Sequence, residues 1–177
     1  MNLAKIGFLD SLTIDEINGI MGAILVTDGE TKPLEFRVTA PIKTTNFQKT
    51  LYGDVLLEHV LVELISLPLI TALNEELDLI LVKDPLFLGA NNKQGIRIVH
   101  IFEQNEKQQA PPNGAEELKS SKGGGKKVFV ETSPKYNAEL PQIRDLLSAL
   151  SEHRNLIEPF SRLNTACEQV HLQKTNE

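Results

Sequence analysis

Four carboxylates stand where a chain of this kind could do chemistry. Asp10 follows the apolar run AKIGFL, and Asp84 closely follows LDLILV. Glu58 and Glu63 interrupt the longest apolar stretch, residues 55–73. Carboxylate oxygens suit hard divalent cations, and such ions can activate water for hydrolysis. The plain alternatives are equally physical. Aspartate and glutamate together number 24, so an acidic residue near any chosen point is common. Asp10 can cap the turn at Ser11, and Asp84 before Pro85 is a frequent turn initiator. Glu58 and Glu63 can simply face solvent on an amphipathic helix.

Other candidates are weaker. His59 and Glu63 are four residues apart, on one helical face, but a metal site needs more ligands than two. There is no HExxH and no Cys-His cluster. His100 alternates with Ile98 and Phe102, which suits a packed or edge strand residue. SSKGGGKKV resembles a phosphate loop, yet Gly125-Lys126 is followed by Lys127 instead of serine or threonine. No GxGxxG follows a strand and no GxSxG elbow exists. Cys167, the one cysteine, sits at an apolar helical position and reads as core.

The chain of 177 residues is about one domain long. Apolar residues make up 41% and aromatic residues 5%, without tryptophan, so Leu, Ile and Val must supply most of the core. The net charge of −6 argues against binding nucleic acid or anionic membranes through a broad basic surface. A single cysteine excludes an internal disulfide and suits a reducing compartment. The first residues are too polar for a signal peptide. Residues 55–73 carry Glu58, His59, Glu63, Ser66 and Pro68, which reads as a buried amphipathic helix and not a membrane span. These features predict a cytoplasmic protein.

Periodicity gives the elements. Residues 4–9 read as a first strand ending at Asp10, and Thr13 with Glu16 as a helix-start signature. Residues 20–26 are apolar on both faces, as in a central strand. Asp28-Gly29 predicts a tight hairpin. Leu34, Phe36, Val38 and Ala40 then alternate with Glu35, Arg37 and Thr39. Pro41 stops that strand, and Thr44 or Thr45 caps the next helix. Phe47, Leu51, Val55, Val60 and Leu64 mark its apolar face, which should reach Ser66 before Pro68 kinks it. Short strands follow at 77–82 and 95–102. Residues 103–127 are rich in Gly, Pro, Lys and Gln and are expected to be disordered. A brief strand at 128–131 precedes two helices with narrow apolar stripes. The chain thus divides into a mixed α/β core at 1–102, a low-complexity insert at 103–127, and a strand with a helical pair at 128–177.

The fold class is therefore α/β, of mixed α+β sheet type: a three-stranded antiparallel meander, a helix and further strands, closed by C-terminal helices. This order resembles that of ribonuclease H-like folds. The resemblance implies one acidic residue on the first strand, one in the first long helix and one ending the fourth strand. Here those places hold Asp10, Glu58 or Glu63, and Asp84. Converging, they would hold Mg²⁺ and make a metal-dependent phosphodiesterase or nuclease, with Asp10 and Asp84 as metal ligands.

PLEFRVTAPI, followed by QKTLYG and an apolar helix, resembles a bacterial conserved-hypothetical family with the pattern PLEF-x-x-T-x-P, then Q-x-x-LYG. The resemblance covers about residues 20–84 and implies no activity. It groups Glu35, Arg37, Gln48, Tyr52 and Gly53 into one recurring unit, either a structural junction or a polar site.

With no convincing catalytic set, the sequence favours a non-catalytic module that needs no cofactor and binds another protein or itself. The nuclease is the alternative. A small-ligand domain with a pocket around Asp10, Arg37 and Asp84 is a third reading.

Overall fold

The computed structural model describes residues 1–105, 113–119 and 126–175. Seven strands form one mixed sheet: β1 (Lys5–Ile14), β2 (Gly19–Asp28), β3 (Pro33–Val38), β4 (Leu79–Val82), β5 (Ile98–Asn105), β6 (Glu116–Glu117) and β7 (Lys126–Thr132). Their spatial order is β3-β2-β1-β4-β5-β7-β6. β1, β2 and β3 are an antiparallel meander, and β4 and β5 run parallel to β1. β7 returns antiparallel to β5. The meander, helix and parallel strands make this a ribonuclease H-like α/β fold.

Helices cover both faces. α1 (Asn46–Ala72) lies on one face, and α2 (Leu140–Ser151) and α3 (Glu158–Thr175) on the other. The sheet's own alternation makes this necessary. Leu9, Ile24, Ile80, Val82 and Ile98 join the α1 core, whereas Ile6, Phe8, Leu79, Leu81 and Val99 join the α2/α3 core. A strand apolar on both faces must be covered twice. Phe8 meets Phe160 of α3 edge-on, with centroids 5.4 Å apart.

Several local expectations are corrected. β1 continues through Asp10 to Ile14, so Asp10 lies within a strand and not at its end. The Thr13–Glu16 signature starts no capped helix: residues 15–17 form one 3₁₀ turn without a side-chain cap. In the β2–β3 turn the left-handed residue is Thr31 (φ 59°), not Gly29. Asp28 makes this turn possible by accepting from the Glu30 and Lys32 amides.

α1 continues beyond Ser66 to Ala72, and Ser66 makes no side-chain cap to the segment after it. Pro68 lacks an amide hydrogen, and its ring crowds the carbonyl four residues back. Val60–Ser66 widens into π-helical turns that accommodate it, and the Ser66 hydroxyl donates to the Leu61 carbonyl at 2.6 Å. Of the expected apolar stripe only Val60 is buried, and Leu64 is 37% exposed. Val60, Leu61, Ile65 and Leu69 seal the sheet, but Phe47, Leu51 and Val55 are 70%, 65% and 58% exposed. Gly53, at φ 53° and ψ −129°, ends the first helical segment and changes the phase of the stripe. By length and composition α1 passes for a membrane span, yet its packed half is the lid of this core.

The stretch expected to be disordered is partly ordered. Residues 103–105 extend β5, Glu116–Glu117 pair with β7, and Leu118 is buried in the α2/α3 core. The remainder of 103–127, except Lys126 and Lys127 in β7 and the neighbouring described residues 113–119, lies outside the described residues.

Candidate active site

The expected carboxylates are divided between places. Asp10 has the same parity as Phe8 and faces α3, where it meets the Asn164 side chain. Glu58 and Glu63 lie across the sheet on α1. Glu58 abuts Gly89, so closely that a Cβ there would lie 2.9 Å from its Oε1. Glu63 pairs with Lys93 at 2.5 Å. Asp84 turns its Oδ1 to the Leu86 amide at 2.9 Å and so begins the 3₁₀ segment Pro85–Asn92. Among the described residues no three His, Cys, Asp or Glu side chains gather around a possible metal ion. The two-metal constellation of Asp10, Glu58 or Glu63, and Asp84 is therefore not assembled. Helical periodicity placed the glutamates on α1, but it could not say which sheet face α1 covers.

The polar motif is also dispersed. Glu35 accepts from Arg37 Nε at 2.6 Å and from the Asn74 and Glu75 amides, so it clamps the turn after α1. Gln48 completes a capping box with Thr45. Tyr52 stacks on His59 with centroids 4.5 Å apart. These are junction roles, and Arg37 turns to Glu35 and away from any pocket shared with Asp10 and Asp84. His100 is packed, with Nδ1 2.7 Å from Glu131 and Nε2 3.1 Å from the Lys83 carbonyl.

Burial tends to push Glu35 up, but the Glu75 amide, Arg37 and the Asn74 amide outweigh it and hold its carboxyl below the ordinary 4.5. A depressed folded value means that Glu35 stabilises the fold fully above pH 4.5, and the effect is lost as pH falls from there through the lower folded value. Glu35→Gln should cost about 1–2 kcal/mol near neutral pH by urea unfolding, and less at a pH acid enough to protonate Glu35 in the folded chain. An equal cost at both pH values would show that the clamp is not electrostatic.

What does assemble is a cleft on the α3 face, about 470 Å³ in volume, lined by Leu12, Lys83, Glu103, Ser161, Asn164 and Glu168 among others. Central strands supply its floor: β1 gives Leu12, β5 gives Glu103, and Lys83 directly follows β4. α3 supplies its wall. Asp10 lies behind Asn164, with Oδ1 taking the Ser11 amide at 2.9 Å and Oδ2 taking Asn164 Nδ2 at 3.2 Å. Burial pushes the Asp10 carboxyl above its usual range. The Ser11 amide, Asn164 and the Lys83 charge oppose that shift, and Asp84 adds to it. The nearby Cys167 thiol is pushed up to about 11 by burial and by Asp10, which makes it an inert core group.

Asn164 Oδ1 is buried without a hydrogen-bond partner. It offers one hard oxygen donor beside the Asp10 carboxylate, whose oxygens already accept from Ser11 and Asn164. Mg²⁺ commonly keeps several waters and takes one or two carboxylates together with substrate phosphates. The residues present fit an ion completed by substrate, not a preformed all-protein cage. Sequence reasoning missed Asn164, Glu103, Glu168 and Lys83. Asn164 and Glu168 are four apart on α3, so their shared face was readable, but β1 as its neighbour was not.

No family model and no curated protein matches this chain. Solved structures do. Endonuclease V from Streptomyces avermitilis is 16% identical, with 99% of this chain and 85% of that one covered at a TM-score of 0.63. Endonuclease V from Bacillus subtilis is 12% identical, with coverages of 100% and 84% and a TM-score of 0.55. Endonuclease V from Ciona intestinalis, solved with a 24mer DNA containing an inosine, is 13% identical over 78% of this chain and 76% of that one, with a TM-score of 0.41. At these identities the likeness is one of fold. The expected non-catalytic module, with a protein partner or self-association and without nucleic acid, is nonetheless corrected. The chain shares its fold over nearly its whole length with two nucleases.

Proposed function

We propose that this chain is a cytoplasmic nuclease that hydrolyses a phosphodiester bond of nucleic acid in the cleft beside Asp10. The observation that carries this reading is Asp10 itself. It is a carboxylate raised by burial, on a central strand of a ribonuclease H-like sheet, bonded to Asn164, which lines an open cleft. Two endonucleases with this fold support the reaction class.

A raised carboxylate is a better general base than an ordinary one. Asn164 and the Ser11 amide fix its orientation. A water oxygen forms the new bond to phosphorus, and its proton passes to Asp10. The ester P–O bond breaks, its electron pair leaves with the ester oxygen, and that oxygen takes a proton from solvent. Asn164 Oδ1, with substrate oxygens and waters, would hold Mg²⁺, which when bound supplies positive charge beside the phosphate, while Asp10 stays free of the ion as the base. The acidic net charge is compatible with this reading because a local site needs no broad basic stripe.

The test is incubation of the purified chain with labelled single- and double-stranded DNA and RNA, in Mg²⁺, Mn²⁺ or EDTA. Cleavage that requires the divalent ion is expected. Intact substrates under every condition would sink the proposal.

A further inference from the structure

Among the cations near the cleft, Lys83 is set apart. Glu103, on the neighbouring strand β5, is held by Lys126 at 3.6 Å, and Glu158, at the start of α3, by Arg162 at 2.8 Å. Lys83 has no carboxylate within ion-pair distance among the described residues. Its Nζ instead stands 5.9 Å from the centroid of the Phe160 ring, on the same side of the sheet as Asp10. Phe160 is itself fixed, 1% exposed and locked against Phe8. The main chain of Lys83 is held as well, because its carbonyl faces His100 Nε2 at 3.1 Å. An ammonium held over an aromatic face keeps its charge available to an incoming anion.

We infer that Lys83 is a catalytic residue that binds a non-bridging oxygen of the scissile phosphate in this cleft. The inference rests on the proposed nuclease reading and deepens it, because it names the group that receives the substrate's charge. Lys83 is exposed and follows the end of β4, so it can reach an anion without moving the sheet. Asp10 lies close enough to feel its charge and is bonded to Asn164, which lines the same cleft as Lys83. As negative charge grows on the phosphoryl oxygens during attack, the ammonium stabilises it. Lys83 forms and breaks no covalent bond in this role.

The experiment compares wild type, Lys83→Met and Lys83→Arg by two readouts. One is kcat on a labelled oligonucleotide with Mg²⁺. The other is titration with inorganic phosphate in EDTA, followed by amide NMR shifts at Leu12 and Asn164. Lys83→Met should lower kcat about 10²–10³-fold, as loss of one preorganised charge does elsewhere, and should abolish the saturable phosphate shifts. Lys83→Arg should restore part of both. Wild-type kcat together with wild-type phosphate shifts in Lys83→Met would overturn the inference. If no protein cleaves nucleic acid but Lys83→Met alone loses phosphate, the nuclease reading fails and the anion site at Lys83 stands.

Discussion

Asp10→Asn is expected to lower the hydrolysis rate by roughly 10²–10⁴-fold, the usual contribution of a general base, while raising the melting temperature. The two effects have one cause. Burial makes the ionised carboxylate costly, and its hydrogen bonds do not fully offset that cost, so the folded-state value lies above the ordinary 3.8. A raised value means the fold prefers the protonated group. The stabilising effect of protonation is complete below pH 3.8 and lost as pH rises through the folded value. At neutral pH asparagine removes the charge and keeps the shape. Its amide oxygen can still accept from Ser11, and Asn164 can turn its oxygen to the new amide. A gain of about 1 kcal/mol would raise the melting temperature by roughly 2–4 °C in a chain of this size. The gain should shrink as pH approaches 3.8, where Asp10 itself becomes neutral in both states. Activity should rise with pH as Asp10 deprotonates. Loss of activity with a lowered melting temperature would mark Asp10 as a structural group. Gained stability with full activity would place the base elsewhere.

Gly22→Ala should be among the most damaging single-methyl changes in the molecule. Gly22 lies on β2 beneath α1, and a Cβ there would fall 2.2 Å from Cγ2 and 3.1 Å from Cβ of Ile65. Ile65 is fully buried and β-branched, so its rotamer is stiff in a helix and it has no free space to enter. The whole helix must lift from the sheet. Overpacking of this kind costs about 3 kcal/mol at its upper end. That lowers the melting temperature by roughly 6–12 °C. Gly95→Ala is the control, since nothing lies within 4 Å of its added Cβ, and should be nearly neutral. Equal effects at the two glycines would show that α1 rides on the sheet more loosely than Gly22 and Ile65 indicate.

The Gly22 contact also separates what a one-dimensional reading can reach from what it cannot. The sequence showed Gly22 inside an apolar run, but a glycine in a strand does not say what approaches it. Strand identity was legible because alternation is a local property: β2 and β3 lie close to where their periodicity put them. Thr45, one of the two threonines expected to cap α1, does so through a capping box. Element bounds failed where tertiary contacts overrode local signals. β1 runs into the Thr13–Glu16 signature, as far as Ile14, because β2 pairs along its full length, to Ile14 with Gly19. The segment at Leu118 looked too polar to order, and one leucine buried against the α2/α3 core anchors it.

The candidate site divides in the same way. Asp10 was found from sequence because it follows an apolar run at a place where a fold-level resemblance puts an acidic residue. Of its expected companions, Glu58 and Glu63 belong to a helix on the opposite face, while Asp84 lies close enough to raise Asp10 and gives its Oδ1 to the Leu86 amide. The companions it has, Asn164 of α3 and Lys83 beside β4, are separated from it by 154 and 73 positions. What the sequence by itself determined is the set of elements, their order and the two-sided apolar character of the central strands, since each arises from neighbours a few residues apart. Which face each helix covers, and so which side chains share a cleft, was decided only by the tertiary structure. That choice depends on how whole surfaces fit, Ile65 against Gly22 and Phe160 against Phe8, and no local pattern encodes it.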